Sequence, residues 1–344
     1  MRGWSLLGLL NPLNLVRARR LASAMASVDP GEELVSYPDY DFIVAAALLV
    51  HALGPRRVRF SPLARSMRIG AVVVERRRRG AVCVRDEASG RELCAGLGSV
   101  AALVRLVLVL SGRRLPKWVG PAVERAREAV WLGALVPSGW VACSSRLLNE
   151  VAELLSSGAA REVLDVLDRF VGGLARIAGN ALELAQRIAL GSARVKAGCL
   201  AVELLRLRNV VEKVEGFEVP LHLAAFLGLA KTLTFDDFAV VGYVESGDRR
   251  EVLIGGGPAL ELWEALTYLL GAAEDDANCL DGVYRISTSA SFDEVGKAVE
   301  EASARIAARI CEERPRLPIF IPFIAERERA PALHEVLQRF EEDW

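Results

Sequence analysis

Apolar positions recur at three and four residues through the middle of the chain, and in short alternating runs on either side of it. Asn11-Pro12 opens a predicted helix over Leu13–Met25, and Asp29-Pro30-Gly31 stops it. A second, almost wholly apolar helix spans Tyr40–Leu53 and closes on Gly54-Pro55. Short runs at Arg57–Phe60, Ile69–Glu75, Ala81–Arg85 and Arg91–Ala95 predict strands, with a helix over Ser99–Leu110 behind them. From Pro121 to Lys231 the spacing predicts helices throughout: Pro121–Leu132, Ser144/Ser145–Leu155, Ala159–Ala189 with a bend near Gly172-Gly173, Gly191–Val214 and Pro220–Leu233. Strands return at Asp237–Glu245, Arg250–Ile254 and Val283–Ser287, among helices at Ala259–Leu270, Phe292–Glu312 and Pro331–Phe340. The expected fold is α+β and predominantly helical. A small antiparallel meander lies in an N-terminal domain (1–118), a helical bundle in the middle (119–234), and a short α/β part at the end (235–344).

Charge changes this picture. The formal net charge is only −1. Residues 1–127 nevertheless hold 21 basic and 10 acidic side chains, a net of +11, and residues 128–344 hold 22 and 34, a net of −12. Arg56 to Lys117 alone carries 15 basic residues against four acidic ones. Such a split assigns one part to a polyanion and another to protein partners, or else two oppositely charged domains dock. Abundant charge with scarce Asn and Gln fits a hyperthermophile. The six cysteines lack metal-finger spacing and sit mostly in apolar runs, where they read as small buried hydrophobes. A bridge between Cys83 and Cys94, on neighbouring strands, is the one pairing the spacing brings up. The most hydrophobic run, Leu97–Leu110, is too short for a membrane span and carries Arg105. The expectation is a cytoplasmic protein with no membrane partner.

The candidate nucleic-acid contacts are Arg56, Arg57, Arg59, Arg68, Arg76, Arg77, Arg78 and Arg79, placed on strands and at a hairpin tip. Guanidinium groups there can bridge successive phosphates, and the alternative is a solvated arginine loop. Few aromatics are interleaved, so backbone contact is favoured over base stacking. Gly255-Gly256-Gly257-Pro258, between a strand and a helix, is a weaker anion cradle, and a plain strand-to-helix turn competes with it. Glu274, Asp275, Asp276 and Asp281 lack calcium-loop spacing. No cofactor or resident metal is expected. His51, His222 and His334 show no ligand spacing, and no hydrolase motif occurs, which moves the reading away from an enzyme.

The general plan of helical N-terminus, arginine-rich meander and long helical remainder resembles the large subunit of archaeal type I CRISPR interference complexes. The resemblance implies a non-catalytic subunit that helps recognise a short duplex motif beside the target. It would hold guide RNA or target DNA among the other subunits of a ribonucleoprotein complex. No diagnostic motif carries over residue by residue. Two other classes stay open: a nucleotide- or metal-dependent enzyme acting on nucleic acid, and a scaffold with protein partners only.

Overall fold

The computed structural model describes residues 16–20, 23, 33–54, 56–61, 66–76, 81–131, 138–179, 181–232, 237–247, 249–272, 278–280 and 283–312. They form two compact units. One holds the described residues up to Leu184, with Val210–Thr232 and Asn278–Val283; the other holds Ala185–Asn209, the described residues between Leu233 and Ala277, and those from Tyr284 on.

The first unit begins with β1 (Glu33–Ser36), α1 (Tyr40–Leu53) and β2 (Arg57–Phe60). The meander follows: β3 (Ser66–Ile69), β4 (Val72–Arg76), β5 (Ala81–Asp86) and β6 (Glu92–Gly96). The sheet order is β2-β1-β3-β4-β5-β6. β1 and β2 run parallel with α1 as their crossover, and the other pairs are antiparallel. α1 explains why the unit closes around it. Every residue from Tyr40 to Val50 is buried, as an apolar helix with no polar face requires. It packs on α2 (Val100–Leu110), α3 (Val119–Trp131) and α5 (Ala160–Ala178). α4 (Ser145–Ser157) is capped by the Ser144 hydroxyl and ends on Gly158 in the left-handed region, φ 85°. α6 (Ala181–Ile188) follows α5.

The second unit is a sheet with helices on one face. Its strands are β7 (Ala189–Ala197), β8 (Leu200–Leu207), β11 (Phe238–Ser246), β12 (Arg249–Gly256) and β13 (Val283–Thr288), adjacent in the order β13-β12-β11-β8-β7. β8 and β11 are parallel; the other pairs are antiparallel. Between β8 and β11 the chain supplies the first unit with the hairpin β9 (Val211–Val214) and β10 (Phe217–Pro220) and with α7 (Leu221–Thr232). α8 (Ala259–Leu269) and α9 (Phe292–Glu312) bury Leu262, Leu266, Val295, Val299 and Ala302 against Val202, Leu204, Val241, Tyr243, Val252 and Ile286. α9 starts in a capping box: the Ser291 amide and hydroxyl donate to Glu294, and the Glu294 amide donates back to Ser291 Oγ. Those bonds hold the Glu294 carboxyl below its usual range.

A predominantly helical chain is therefore corrected to a mixed α/β one, with three sheets spread along the described residues. The largest change falls on Gly191–Val214, expected as a helix of the central bundle. It forms β7, β8 and β9 instead. Ile69–Glu75 is also divided, because Gly70 at φ 56° turns the chain between β3 and β4. α5 continues through Gly172 and Gly173 and stops at Gly179. Two disulfides are present, Cys83–Cys94 and Cys199–Cys311. Cys199 is exposed rather than buried.

Candidate anion-binding cavity

The predicted arginines do not make one ridge. Strand alternation sends Arg57, Arg59 and Arg68 to the outer face of the first sheet and Arg76 to the inner face, toward the helices. On the outer face the chain's own carboxylates meet them. Arg57 and Arg59 both lie beside Glu33, at 4.0 and 3.9 Å, and Arg68 pairs with Glu87 at 2.8 Å. Arg56 is half-buried, and its Nε has no hydrogen-bond partner. Arg77, Arg78 and Arg79, at the tip, lie outside the described residues.

Arg76 is structural. Its side chain is only 16% exposed and donates to Asp39, at 3.0 and 3.2 Å, and to Asp41, at 3.0 Å; both carboxylates are fully buried. Asp39 caps α1 through the Asp41 amide. Asp41 accepts from Ser99 Oγ, Val100 N and Ala101 N, so it stands at the N-terminus of α2. The guanidinium lies over the Phe42 ring, 5.3 Å from its centroid. The network joins β4, α1 and α2 and leaves Arg76 unavailable to phosphate.

The glycine turn also has a structural cause. Gly255 and Gly256 belong to β12 and pair with Val240 and Ala239, and the Gly257 amide donates to Phe238 O. A Cβ on Gly256, φ 115°, would stand 2.6 Å from Phe238 O. Close backbone approach explains the residue without an anion. Glu274, Asp275, Asp276 and Asp281 lie outside the described residues. The one described group with three metal-type ligands close together is Cys83, Glu92 and Cys94, and its two sulfurs are joined to each other.

The open cationic surface is elsewhere, in residues that the sequence reading counted within the basic stretch but did not single out. A cavity of about 350 Å³ is lined by Arg105, Val109, Arg113, Leu115, Pro116, Lys117, Val119 and Gly120. Arg105 and Val109 come from the end of α2. Gly112, in the left-handed region at φ 72°, then turns the chain: its amide donates to Val109 O and the next amide, Arg113, to Leu108 O. This paired bonding is a Schellman close. It sets Arg113 back against α1, where Nη1 donates to Ala52 O at 2.6 Å. Lys117 precedes α3, whose first turn supplies Val119 and Gly120. The cavity thus presents three cations and no carboxylate, with an apolar wall and the positive end of a helix. Neither Arg105 nor Lys117 has a carboxylate partner among the described residues. The exposed His51 ring packs edge-on against Trp118, which is flanked by Lys117 and Val119.

No protein-family model matches the chain, and no curated protein sequence matches it. Among solved structures it is similar to a pGpG-specific phosphodiesterase, PggH from Vibrio cholerae, at 14% identity and a TM-score of 0.40, over 79% of this chain and 99% of that one. At that distance the likeness assigns no reaction. Arg76 is held on buried carboxylates, and Arg57, Arg59 and Arg68 lie beside Glu33 and Glu87, so these arginines form no common cationic ridge and the expectation of a non-catalytic CRISPR-type subunit is withdrawn. No helix among the described residues is long and apolar enough to cross a membrane.

Proposed function

We propose that the chain is a nucleotide-handling enzyme that holds a phosphate-bearing ligand of nucleotide size in the cavity between α2 and α3. One observation carries this reading: Arg105, Arg113 and Lys117 converge on a space with no carboxylate in its lining. Clustered cations repel one another, and an anion relieves that cost; guanidinium groups meet phosphate oxygens in fork geometry. Val109, Leu115 and Pro116 give a sugar or base an apolar wall to lie on. We assign proton transfer to His51, whose ring packs on Trp118, the chain neighbour of Lys117. This takes up the nucleotide-dependent alternative at a different site from the glycine turn.

The test is calorimetric titration of the full chain with ADP, GDP and the dinucleotide pGpG, at low and high salt. Binding is expected, weakening as salt screens the cations. Arg105→Ala and Lys117→Ala should each weaken it by about tenfold, in line with a lost charge-assisted bond. His51→Gln should leave binding intact and abolish turnover. Equal affinity in parent and Arg105→Ala/Lys117→Ala double variant, or no binding to any of the three, would end this reading.

A further inference from the structure

A second cavity in the same unit has a different chemistry. It measures about 250 Å³ and is lined by Arg146, Glu150, Val166, Arg169, Glu215, Gly216 and Phe217. Arg146 and Glu150 stand one turn apart on α4, and Val166 and Arg169 one turn apart on α5. Glu215 and Gly216 are the two-residue turn between β9 and β10.

Two features set this place apart. The first is that opposite charges are brought together and left apart. Arg146 and Glu150 have i,i+4 spacing, at which helix ion pairs form, yet neither pairs with the other. Arg169 bonds only to the carbonyl of Asp165, through Nε at 3.3 Å. Among the described residues, two guanidinium groups and one carboxylate thus line one cavity with no charged partner. The second is the turn. Glu215 has φ 50°, the one non-glycine residue at positive φ among those described. Such turns favour Asn or Gly there, and a residue held in a sparsely populated region marks a constrained position. The rest of the fold enforces it. Arg176 donates to Glu215 Oε1 at 3.0 Å, and Gly173 on α5 makes room, since a Cβ there would meet Val214 at 2.9 Å and Glu215 at 3.2 Å.

We infer that this cavity is a site for a small zwitterion, a free α-amino acid, bound with its carboxylate toward Arg146 and Arg169 and its ammonium toward Glu150 and Glu215. The side chain of the ligand lies against Val166 and Phe217. An anion alone would leave the carboxylates facing it, and a cation alone would leave the guanidinium groups. A molecule carrying both charges offers a partner to each set. The site is separate from the cationic cavity and does not rest on the reading given to it.

The experiment uses the full chain and titrates glycine, L-valine, L-leucine and L-phenylalanine by calorimetry. Each binder is then compared with its N-acetyl and amide forms, which lack one charge. At least one free amino acid should bind, and both blocked forms should bind about tenfold more weakly or worse. Arg169→Gln and Glu150→Gln, both exposed and outside the core, should each reproduce that loss, while Arg105→Ala should not. The inference is overturned if none of the four binds at millimolar concentration. It is equally overturned if a blocked form binds as well as its parent, or if both cavity variants keep full affinity. A peptide terminus bound through one charge would show as that second result.

Discussion

Among single residues, Arg76 carries the most structural weight. Sequence gave it a solvent-facing place beside three further arginines, because four consecutive guanidinium groups are costly to bury. The structure separates it from them by strand alternation alone: β4 turns Glu75 outward and Arg76 inward, onto two fully buried carboxylates. What could not be read was the partner. Asp39 and Asp41 lie 37 and 35 positions away in sequence, and each also accepts backbone amides at a helix N-terminus. Arg76→Ala removes the guanidinium from a buried network that holds two carboxylates. Breaking such a pair from one side costs about 3–5 kcal/mol. Arg57→Ala, on an outer face, removes a long, exposed contact worth about 0–1 kcal/mol. Urea midpoints of the two variants check this, and equal losses would mean that the buried network is not what holds β4 to α1.

Legibility was uneven among the elements, and packing explains where. α1, α4 and α9 were readable because their signals are local: an apolar run closed by Gly54, a serine cap at Ser144, and a capping box at Ser291. β7 and β8 were not. Leu200, Val202 and Leu204 alternate as a strand should, but Leu205 and Leu207 are buried as well. A strand covered on both faces loses its period of two and imitates a helix. The cationic cavity was half legible. Its charges stood in the sequence, whereas the Schellman turn at Gly112 that brings Arg113 to α1 is a matter of backbone geometry. Bridges follow the same rule. Cys83 and Cys94 oppose each other on adjacent strands, 11 positions apart, and their pairing was open to sequence. Cys199 and Cys311 are 112 positions apart, and only the packing of α9 on the β7–β8 edge brings them together. A cross-link constrains the unfolded chain more when the loop is longer, by about 5 kcal/mol for the long loop against about 3 for the short one. Replacing Cys199 and Cys311 by Ala should therefore lower the melting midpoint further than replacing Cys83 and Cys94. A larger drop from the short-loop pair would show that local strain in the meander, and not chain entropy, dominates.

For the molecule as a whole, chain order and spatial order diverge. A reading into three consecutive domains, 1–118, 119–234 and 235–344, cuts the chain after the supposed bundle. The two units interleave instead: Ala185–Asn209 belongs with the residues that follow Leu233, and Val210–Thr232 returns to the unit built earlier. Such a path leaves no signal in composition: the crossing at Leu184/Ala185 falls inside α6 itself. It does have a physical consequence. β8 lies between β7 and β11, and its parallel pairing with β11 runs from Ala201–Phe238 to Leu207–Val244. A fragment of residues 1–234 keeps β8 and β7 but loses β11, together with α8 and α9, which cover Leu200, Val202 and Leu204. That leaves an unpaired strand edge and an uncovered apolar face on the same ribbon, the combination that drives edge-to-edge association. The fragment should therefore aggregate, or bind a hydrophobic dye and melt without cooperativity, even though it contains every helix of the first unit. A soluble 1–234 fragment with a sharp melting transition and no dye binding would restore the consecutive-domain reading and make β7 and β8 an independent hairpin.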